Sequence, residues 1–462
     1  MTKPSIASRH PPQAYRDLVL RPISRLSVLF LSSTIVRMAI ALLYLLPAYI
    51  IVKTIEVLPS IYNRWHLLLA PGGREQLLKE SDQQRAWEED FARKQYNGSC
   101  VLSPEGQIFQ TDAKKCLREA HWSPDIDRFS LCGVDVGVVH EKPEKVTGRP
   151  IVLLHGNPSW SFMWRNVIPH LTQQGHEVYA LDWIGHGLSD KPSQPSMISF
   201  ELHMRTLQAF LAEFNVTNCC IAAHDWGGCV ALSTLPHLPP GTCTSLFLLN
   251  TFFPPRPTDI TIHSYMLYLL WYFSTGIFDG YLPEWAVMRY MSPQTTSRTM
   301  DGYCAPFAAG VATKASVSRF AHIVPGIPDF VLSLRDHYLW RMVEGLLGPT
   351  SFTNITAQAR LAERNRLVRS FWAEPSEKLQ DEVRSQVMVA FGRDDPLLVD
   401  FKDVLVHTIE PNLQRHAVGG EWIERAGHYP TEDRPLQVAR LIQRFVQASR
   451  PLTDGSEPAF TT

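Results

Sequence analysis

The sequence predicts an α/β fold with a mostly parallel sheet, and two observations support this. Continuous apolar runs that end in turns, such as RPIVLLHG, EVYALDWIGHG and CCIAAHD, are typical of strands buried on both faces. Helix-like stretches such as ISFELHMRTLQAFLAEF lie between these runs. Strands that alternate with helices along a chain usually form a parallel sheet covered by helices. The hydrophobic content of 45% is enough for a large core.

The predicted strands fall into two groups separated by a long insertion. RFSLCGVDVGVVHEK, from residue 128, alternates like a strand pair, and the buried runs that follow it end with SLFLLNT. The alternation stops after Phe253 and resumes at Val387. The block between these positions is rich in aromatic residues and proline, and we expect a helical cap there. An insertion at this place covers the carboxyl ends of the parallel strands, where ligands bind.

The N-terminal part of the chain differs in character from the rest. Residues 26–52 form a 27-residue apolar stretch with Arg37 as its only charge, and about 20 apolar residues span a bilayer. We therefore expect a transmembrane helix that attaches the protein to a membrane. Basic residues precede this stretch and favour a cytoplasmic N-terminus. The side of the membrane that holds the remaining domains stays open.

These features divide the chain into segments and exclude some classes of partner. The segments are a basic N-terminal segment (1–25), a transmembrane helix (26–52), a connector (53–124), the first part of the α/β core (125–253), the cap (254–369), the second part of the core (370–448) and a disordered tail (449–462). The formal net charge of −1 argues against nucleic acid as a partner. The eight cysteines lack paired CxxC spacing, which argues against a structural zinc site.

The stretch CCIAAHDWGGCVAL, residues 219–232, joins a buried strand to a helix-like run. Small residues flank Asp225 in the order small-x-nucleophile-x-small, the pattern of a tight turn that presents a nucleophile between a strand and a helix. Such turns commonly carry serine, whereas this chain has aspartate. A carboxylate is an anion at neutral pH and can displace a leaving group from carbon to form an alkyl ester. The alternative is an ordinary strand–helix junction with Asp225 as its N-cap.

Two further residues follow in the chain order that such a fold requires, which is nucleophile, acid and histidine. Asp394 and Asp395 come directly after the apolar run QVMVAFG. We expect Asp395 to be the acid because it keeps a Gly-x-x-Asp register from Gly392, and we interpret Asp394 as a turn residue. His428, in AGHYPTED, is the expected base.

The run LLHGNPSWSFMW supplies the remaining polar groups. His-Gly after a buried strand marks the loop whose backbone N–H, here that of Asn157, forms half of an oxyanion hole, and the N–H of Trp226 forms the other half. The carboxamide of Asn157 and the indole of Trp226 are also neutral donors that suit a departing anion. His155, His186 and His224 lie in the same motifs, and we interpret them as scaffold residues.

Together, the motifs HGNPSWSFMWRNVIPHL, GHGLSDKP, HDWGG, GRDDPLL and AGHYPTED resemble the haloalkane dehalogenase family of α/β-hydrolases. The resemblance covers about residues 125–448 and includes part of the cap, GYCAPFAAGVATKASVSRF. It implies an α/β-hydrolase fold with the cap inserted after the sixth strand. It also implies Asp225 as nucleophile, His428 as base and Asp395 as acid. The motifs are similar to those of the bacterial β-lactone decarboxylases of olefin biosynthesis as well.

The resemblance further implies that Asn157 and Trp226 bind the halide. Some family members carry the acid as glutamate after the sixth strand, where this chain has Asn250. This chain is therefore similar to the members whose acid follows the next strand. The implied reaction is hydrolysis of an alkyl halide to an alcohol and halide, and it needs neither a metal nor an organic cofactor.

Two alternatives stay open for the function. The apolar N-terminus favours a hydrophobic or lipid-like small-molecule substrate, which agrees with an epoxide hydrolase or a β-lactone decarboxylase that uses the same nucleophile. Epoxide hydrolases usually have an aromatic residue at the position of Asn157, which argues against the first of these. The second alternative is a non-catalytic α/β-hydrolase that binds a ligand, and the complete triad argues against it.

Overall fold

The structure, a computed structural model, describes residue 58 and residues 61–99, 102, 108–253, 261–278, 284–323, 337–347, 355–373, 386–409 and 420–449. The predicted transmembrane helix at residues 26–52 and all but the first residue of the predicted tail lie outside this set. Among the described residues, no helix is both long enough and apolar enough to cross a membrane.

Strands occur in both parts of the predicted core, and one short strand, Ile108–Phe109, lies in the predicted connector. They are β1 (Ile108–Phe109), β2 (Ile126–Leu131), β3 (Val134–Glu141), β4 (Ile151–Leu154), β5 (Val178–Leu181), β6 (Lys191–Pro192), β7 (Cys219–Asp225), β8 (Cys243–Thr251), β9 (Val387–Gly392) and β10 (Gly420–Ile423). Within the described ranges, eight of them form one sheet in the order β10-β9-β8-β7-β4-β5-β3-β2. Its strands from β10 to β5 are parallel, whereas β3 is antiparallel to β5 and β2 is antiparallel to β3. The prediction of a mostly parallel sheet is confirmed.

Helices cover the sheet and form the insertion. They are α1 (Gly73–Tyr96), α2 (Ala113–Glu119), α3 (Ile168–Thr172), α4 (Phe200–Glu213), α5 (Trp226–Thr234), α6 (Ile262–Phe278), α7 (Glu284–Met291), α8 (Ser297–Cys304), α9 (Ala315–Arg319), α10 (Tyr338–Leu347), α11 (Ile355–Ala373), α12 (Phe401–Ile409), α13 (Pro430–Asp433) and α14 (Pro435–Ala448). Short 3₁₀ segments complete the set at Ser161–Trp164, Pro195–Met197, Leu235–His237, Ala305–Phe307, Val311–Thr313 and Phe320–His322.

The hydrophobic core lies on both faces of the sheet. Successive side chains of a strand point to opposite faces. In β4 all four residues are buried, and Val152 and Leu154 pack in one apolar cluster while Ile151 and Leu153 pack in another. A strand covered on both faces has no polar side, which explains why its sequence is continuously apolar.

The cap follows β8, the sixth strand of the large sheet in chain order. Across the described residues between 261 and 373, every regular element is helical, and α11 continues past the predicted boundary at residue 369 to Ala373. The cap reaches the core through α9, where the hydroxyl of Ser316 donates to the backbone carbonyl of Ile184 at 3.1 Å. Ile184 lies in the loop after β5, so α9 covers the carboxyl edge of the parallel strands.

The predicted connector contains α1, which packs against the core and the cap. Gln95 of α1 is fully buried, and its amide nitrogen donates to the backbone carbonyl of Met197 at 2.7 Å. Leu77 of α1 is also buried and faces Gly345 of α10, where a Cβ atom would lie 2.1 Å from the Leu77 carbonyl oxygen. A glycine at this crossing lets the two helices approach closely. Residues 73–96 therefore pack against the α/β core and the cap rather than lying free in solvent.

Asp182 fixes the two loops that border the carboxyl edge of the sheet. Its fully buried carboxylate accepts hydrogen bonds from the backbone N–H of Ser161 at 2.7 Å and the backbone N–H of Leu188 at 2.8 Å. The Ser161 hydroxyl donates a third bond at 3.1 Å. Burial raises the pKa of Asp182 to about 6, although these hydrogen bonds favour its charged form. The carboxylate thereby joins the loop after β4 to the loop after β5.

Candidate active site

Asp225 lies at the tight turn between β7 and α5, with φ 51° and ψ −122°. A positive φ is unfavourable for residues other than glycine, so packing must hold this conformation. The small residues after it are required by close contacts. A Cβ atom on Gly227 would lie 2.8 Å from the carbonyl oxygen of Leu154, and one on Gly228 would lie 2.1 Å from the Thr251 hydroxyl oxygen. The Thr251 hydroxyl in turn donates to the Asp225 carbonyl at 2.5 Å.

The Asp225 carboxylate contacts the two backbone groups expected to form the oxyanion hole. Its Oδ1 accepts a hydrogen bond from the N–H of Asn157 at 3.0 Å, and the N–H of Trp226 also bonds to the carboxylate. The residue is 7% exposed. Burial raises the pKa of Asp225, while the charge of His428 and the two N–H groups act in the opposite direction. Oδ1 thus lies against the backbone of Asn157, and Oδ2 is the oxygen that is 3.8 Å from His428 Nε2.

His428 lies between two carboxylates. Its Nε2 is 3.8 Å from Asp225 Oδ2, and its Nδ1 is 3.0 Å from Asp395 Oδ2. The ring is fully buried, and within the described part of the chain Nε2 has no hydrogen-bond partner. Burial opposes a charge on this ring, but the two carboxylates outweigh burial, and the pKa of His428 is raised above its ordinary value.

Asp395, rather than Asp394, lies beside His428. Its Oδ1 accepts from the backbone N–H groups of Leu397 at 2.8 Å and Leu398 at 3.2 Å, while its Oδ2 faces His428 Nδ1. Burial acts to raise the pKa of Asp395, but the charge of His428 and the hydrogen bonds outweigh it, and the pKa is lowered. The carboxylate therefore stays charged and holds the imidazole with Nδ1 as the donor.

Asn250 is a site residue that the sequence analysis considered only as an absent glutamate. It lies in β8, and its Nδ2 donates to Asp395 Oδ2 at 2.7 Å. Its Oδ1 accepts from the backbone N–H of Gly392 at 2.9 Å. Asn250 thus orients the Asp395 carboxylate. A polar residue inside the otherwise apolar run SLFLLNT is the signal that could have identified it.

The side chains of Asn157 and Trp226 meet the cap at α9. The Asn157 carboxamide donates from Nδ2 to the carbonyl of Val317 at 3.2 Å, and its Oδ1 is 3.0 Å from His186 Nε2. The Trp226 indole is buried, and its ring centroid lies 4.6 Å from that of Phe320, directly after α9. Both predicted halide-binding side chains are therefore positioned by core and cap together.

His155 and His224 have structural contacts. His155 Nδ1 donates to the Gly156 carbonyl at 2.7 Å, and its Nε2 accepts from the backbone N–H of Trp183 at 3.1 Å. His224 Nε2 donates to the carbonyl of His428 at 2.7 Å. Burial lowers the pKa of both rings to about 3, so both stay neutral at ordinary pH. They fix the loops that carry Asn157 and His428.

The arrangement joins a carboxylate, a histidine and neutral hydrogen-bond donors in one buried site. Within the described residues, no group of three or more His, Cys, Asp or Glu side chains is placed to hold a metal ion. A carboxylate anion can attack an electrophilic carbon. An imidazole without a partner on Nε2 can take a proton from water.

Comparison with known proteins shows what the chain is similar to. The alpha/beta hydrolase fold family matches residues 149–312. A haloalkane dehalogenase from Psychrobacter cryohalolentis is 26% identical over 301 residues, which cover 64% of this chain and 83% of that enzyme. Another from Mycolicibacterium paratuberculosis is 31% identical over 189 residues, which cover 40% of this chain and 59% of that enzyme.

A solved structure agrees with these sequence relatives. The tetrameric haloalkane dehalogenase DpaA from Paraglaciecola agarilytica superimposes with a TM-score of 0.55 at 19% identity and covers 72% of this chain and 97% of that one. At this identity, the superposition shows the fold alone. The chain is therefore an enzyme with the α/β-hydrolase fold that is similar to the haloalkane dehalogenases, as its motifs predicted.

Proposed function

We propose that the protein hydrolyses alkyl halides through an ester formed on Asp225. One observation carries this proposal. Asp225 Oδ2 faces His428 Nε2 across 3.8 Å, while Oδ1 accepts the backbone N–H of Asn157 at 3.0 Å. The two oxygens of one carboxylate thus have different surroundings, which suit attack by one and charge stabilisation at the other.

The first step is displacement at a saturated carbon. Oδ2 of Asp225 attacks the carbon that bears the halogen, the new C–O bond forms, and the halide leaves with the electron pair of the broken bond. The carboxylate needs no deprotonation because it is already an anion. The Asn157 carboxamide and the Trp226 indole offer neutral N–H donors to the departing halide. They stabilise its charge without a permanent positive charge that would retain it.

The second step is hydrolysis of the ester. His428 Nε2 takes a proton from a water molecule, and the resulting hydroxide attacks the ester carbonyl carbon of Asp225. Negative charge then develops on Oδ1, where the N–H groups of Asn157 and Trp226 stabilise it. Collapse of this intermediate releases the alcohol, which takes a proton from His428, and regenerates the carboxylate. Asp395 stabilises the imidazolium between the two transfers.

Epoxides and β-lactones could react with the same nucleophile, so we compare them with alkyl halides. Epoxide opening requires a hydroxyl that protonates the alkoxide. In the described cap, the Tyr303 hydroxyl donates to Glu432 at 2.5 Å, and that of Tyr268 donates to the carbonyl of Ala321 at 3.4 Å. These two hydroxyls are bonded within the protein, and the neutral donors at Asn157 suit a halide, so we place alkyl halides first. Epoxides and β-lactones serve as comparison substrates.

We further propose that residues 26–52 attach the enzyme to a membrane, which would favour hydrophobic substrates. The length and hydropathy of this stretch support the proposal. Tyr62 and Trp65 follow it closely and are 75% and 49% exposed, and both residue types favour the membrane interface.

The ester on Asp225 should accumulate in the variant His428→Gln because the base for its hydrolysis is missing. The whole protein is incubated with a bromoalkane, an epoxide or a β-lactone, and its intact mass is measured. We expect a mass increase of one alkyl group per chain with release of bromide. An adduct of a whole epoxide or lactone, without one from the bromoalkane, would replace the proposed substrate. The double variant Asp225→Ala/His428→Gln is the control and should gain no mass.

The pH dependence of turnover should report the charge on His428. This ring must be neutral to accept a proton, and its pKa is raised, so activity should fall with decreasing pH at values above the ordinary histidine range near 6.5. In Asp395→Asn, loss of the carboxylate should move this limb to lower pH. Turnover should also fall by about 10²- to 10⁴-fold because the imidazole loses its orientation.

Asp394→Asn is the matched control for this pH profile. This variant removes one negative charge from the position next to Asp395. The hydrogen bond between Asp395 and His428 stays in place. We expect the profile and rate of this variant to stay close to those of the unsubstituted enzyme. An equal shift in both variants would contradict the assignment of Asp395 as the acid.

Membrane attachment is tested by alkaline carbonate extraction of the full-length protein from cells. We expect the protein to remain in the membrane pellet. A variant with Leu42→Arg and Leu45→Arg should move to the supernatant, because each charge at the centre of a spanning helix costs about 2.5–3.5 kcal/mol. Recovery of the unsubstituted protein in the supernatant would refute attachment by this segment.

A further inference from the structure

His186 contacts the predicted halide site although it touches neither the nucleophile nor the base in any hydrogen bond. It lies in the loop after β5 and is fully buried. Its Nε2 is 3.0 Å from Oδ1 of the Asn157 carboxamide. On the cap side, the ring packs edge-on against Phe320, with 5.3 Å between ring centroids. The loop after β4, the loop after β5 and the cap therefore meet at this histidine.

The hydrogen bond between these side chains has a defined direction. Burial, with His155 and His203 nearby, lowers the pKa of His186 far below its ordinary value, so the ring is neutral. A carboxamide oxygen can only accept a hydrogen bond. Nε2 of His186 therefore carries the proton and donates it to Asn157 Oδ1.

The other end of the carboxamide is fixed by the cap. One N–H of Asn157 Nδ2 donates to the carbonyl of Val317 at 3.2 Å. Rotation of the amide by half a turn would place its oxygen against this carbonyl oxygen, and two acceptors repel each other. Nδ2 has a second proton, and among the described residues it has no acceptor. The carboxamide oxygen and one N–H are thus bonded to the protein, and the second N–H is left free among the described residues.

We propose that His186 is a positioning residue that holds the Asn157 carboxamide so that its second N–H faces the departing halide. This inference rests on the function proposed above and extends it to a residue that the sequence motifs indicated only as scaffold. The benefit is preorganisation, because an amide that is already oriented needs no reorganisation free energy when charge develops on the leaving group. A donor at position 186 is the required chemical feature, and an apolar side chain of similar size would not supply it.

His203 provides a matched control in the same region. It is fully buried, and its ring stacks on Phe320 with 4.6 Å between centroids. Neither of its ring nitrogens has a hydrogen-bond partner among the described residues. A substitution at His203 therefore disturbs the same packing without removing a bond to Asn157.

The test measures bromide binding to the full-length protein and its variants. The readout is saturable quenching of tryptophan fluorescence. His186→Met removes the donor and keeps the bulk, and we expect the bromide Kd to rise about five- to tenfold, the value of one hydrogen bond. His186→Gln retains a donor at a similar reach and should stay within about twofold of the unsubstituted protein. His203→Met should lower the melting temperature without a comparable change in Kd.

Each other outcome has a distinct meaning. If the unsubstituted protein binds no bromide, the proposed function fails, and this inference fails with it. If it binds bromide and His186→Met binds equally well, the positioning role alone is wrong. An equal loss in His203→Met would reduce His186 to a packing residue. Should His186→Met not fold, His186→Leu provides a second side chain without a donor.

Discussion

The strained turn at Asp225 is the constraint on which the rest of the site depends. A non-glycine residue at φ 51° is held there by parallel strands on either side and by glycines that let α5 approach β4 and β8. This turn lifts the carboxylate out of the sheet edge and brings the N–H groups of Asn157 and Trp226 to it. We therefore interpret the surrounding structure as support for the conformation of Asp225. This structure comprises the sheet, the flanking loops and the cap.

Burial and the neighbouring groups together set the charges of the three ionisable residues in the site. Three ionisable groups, Asp225, His428 and Asp395, lie in a chain with 3.8 Å and 3.0 Å between neighbours, and burial disfavours charge on each of them. The two carboxylates, Asp395 and Asp225, differ in how well their charged forms are stabilised. Asp395 is stabilised as an anion by N–H donors and Asn250, and its pKa is lowered, whereas burial raises the pKa of Asp225. This difference agrees with the proposal that Asp395 orients the base and Asp225 reacts.

Local patterns predicted much of this arrangement, and long-range contacts account for the rest. The buried strands were predictable because burial on both faces makes their sequences continuously apolar, as in β4. Asp225 and its turn were predictable because steric contact restricts the neighbours to small residues. The pairing of Asn250 with Asp395, and the burial of Gln95 against Met197, depend on residues 145 and 102 positions apart. No local pattern in the sequence encodes such contacts.

The origin of the product oxygen tests the central claim most directly. The enzyme, in excess over a bromoalkane, is allowed one turnover in water enriched in ¹⁸O, and the alcohol and the peptide that contains Asp225 are analysed by mass spectrometry. If Asp225 is the nucleophile, the first alcohol carries ordinary oxygen from the carboxylate, and the label appears in Asp225. Label in the alcohol with none in Asp225 would mean that water attacks the substrate directly, and the ester mechanism would be wrong.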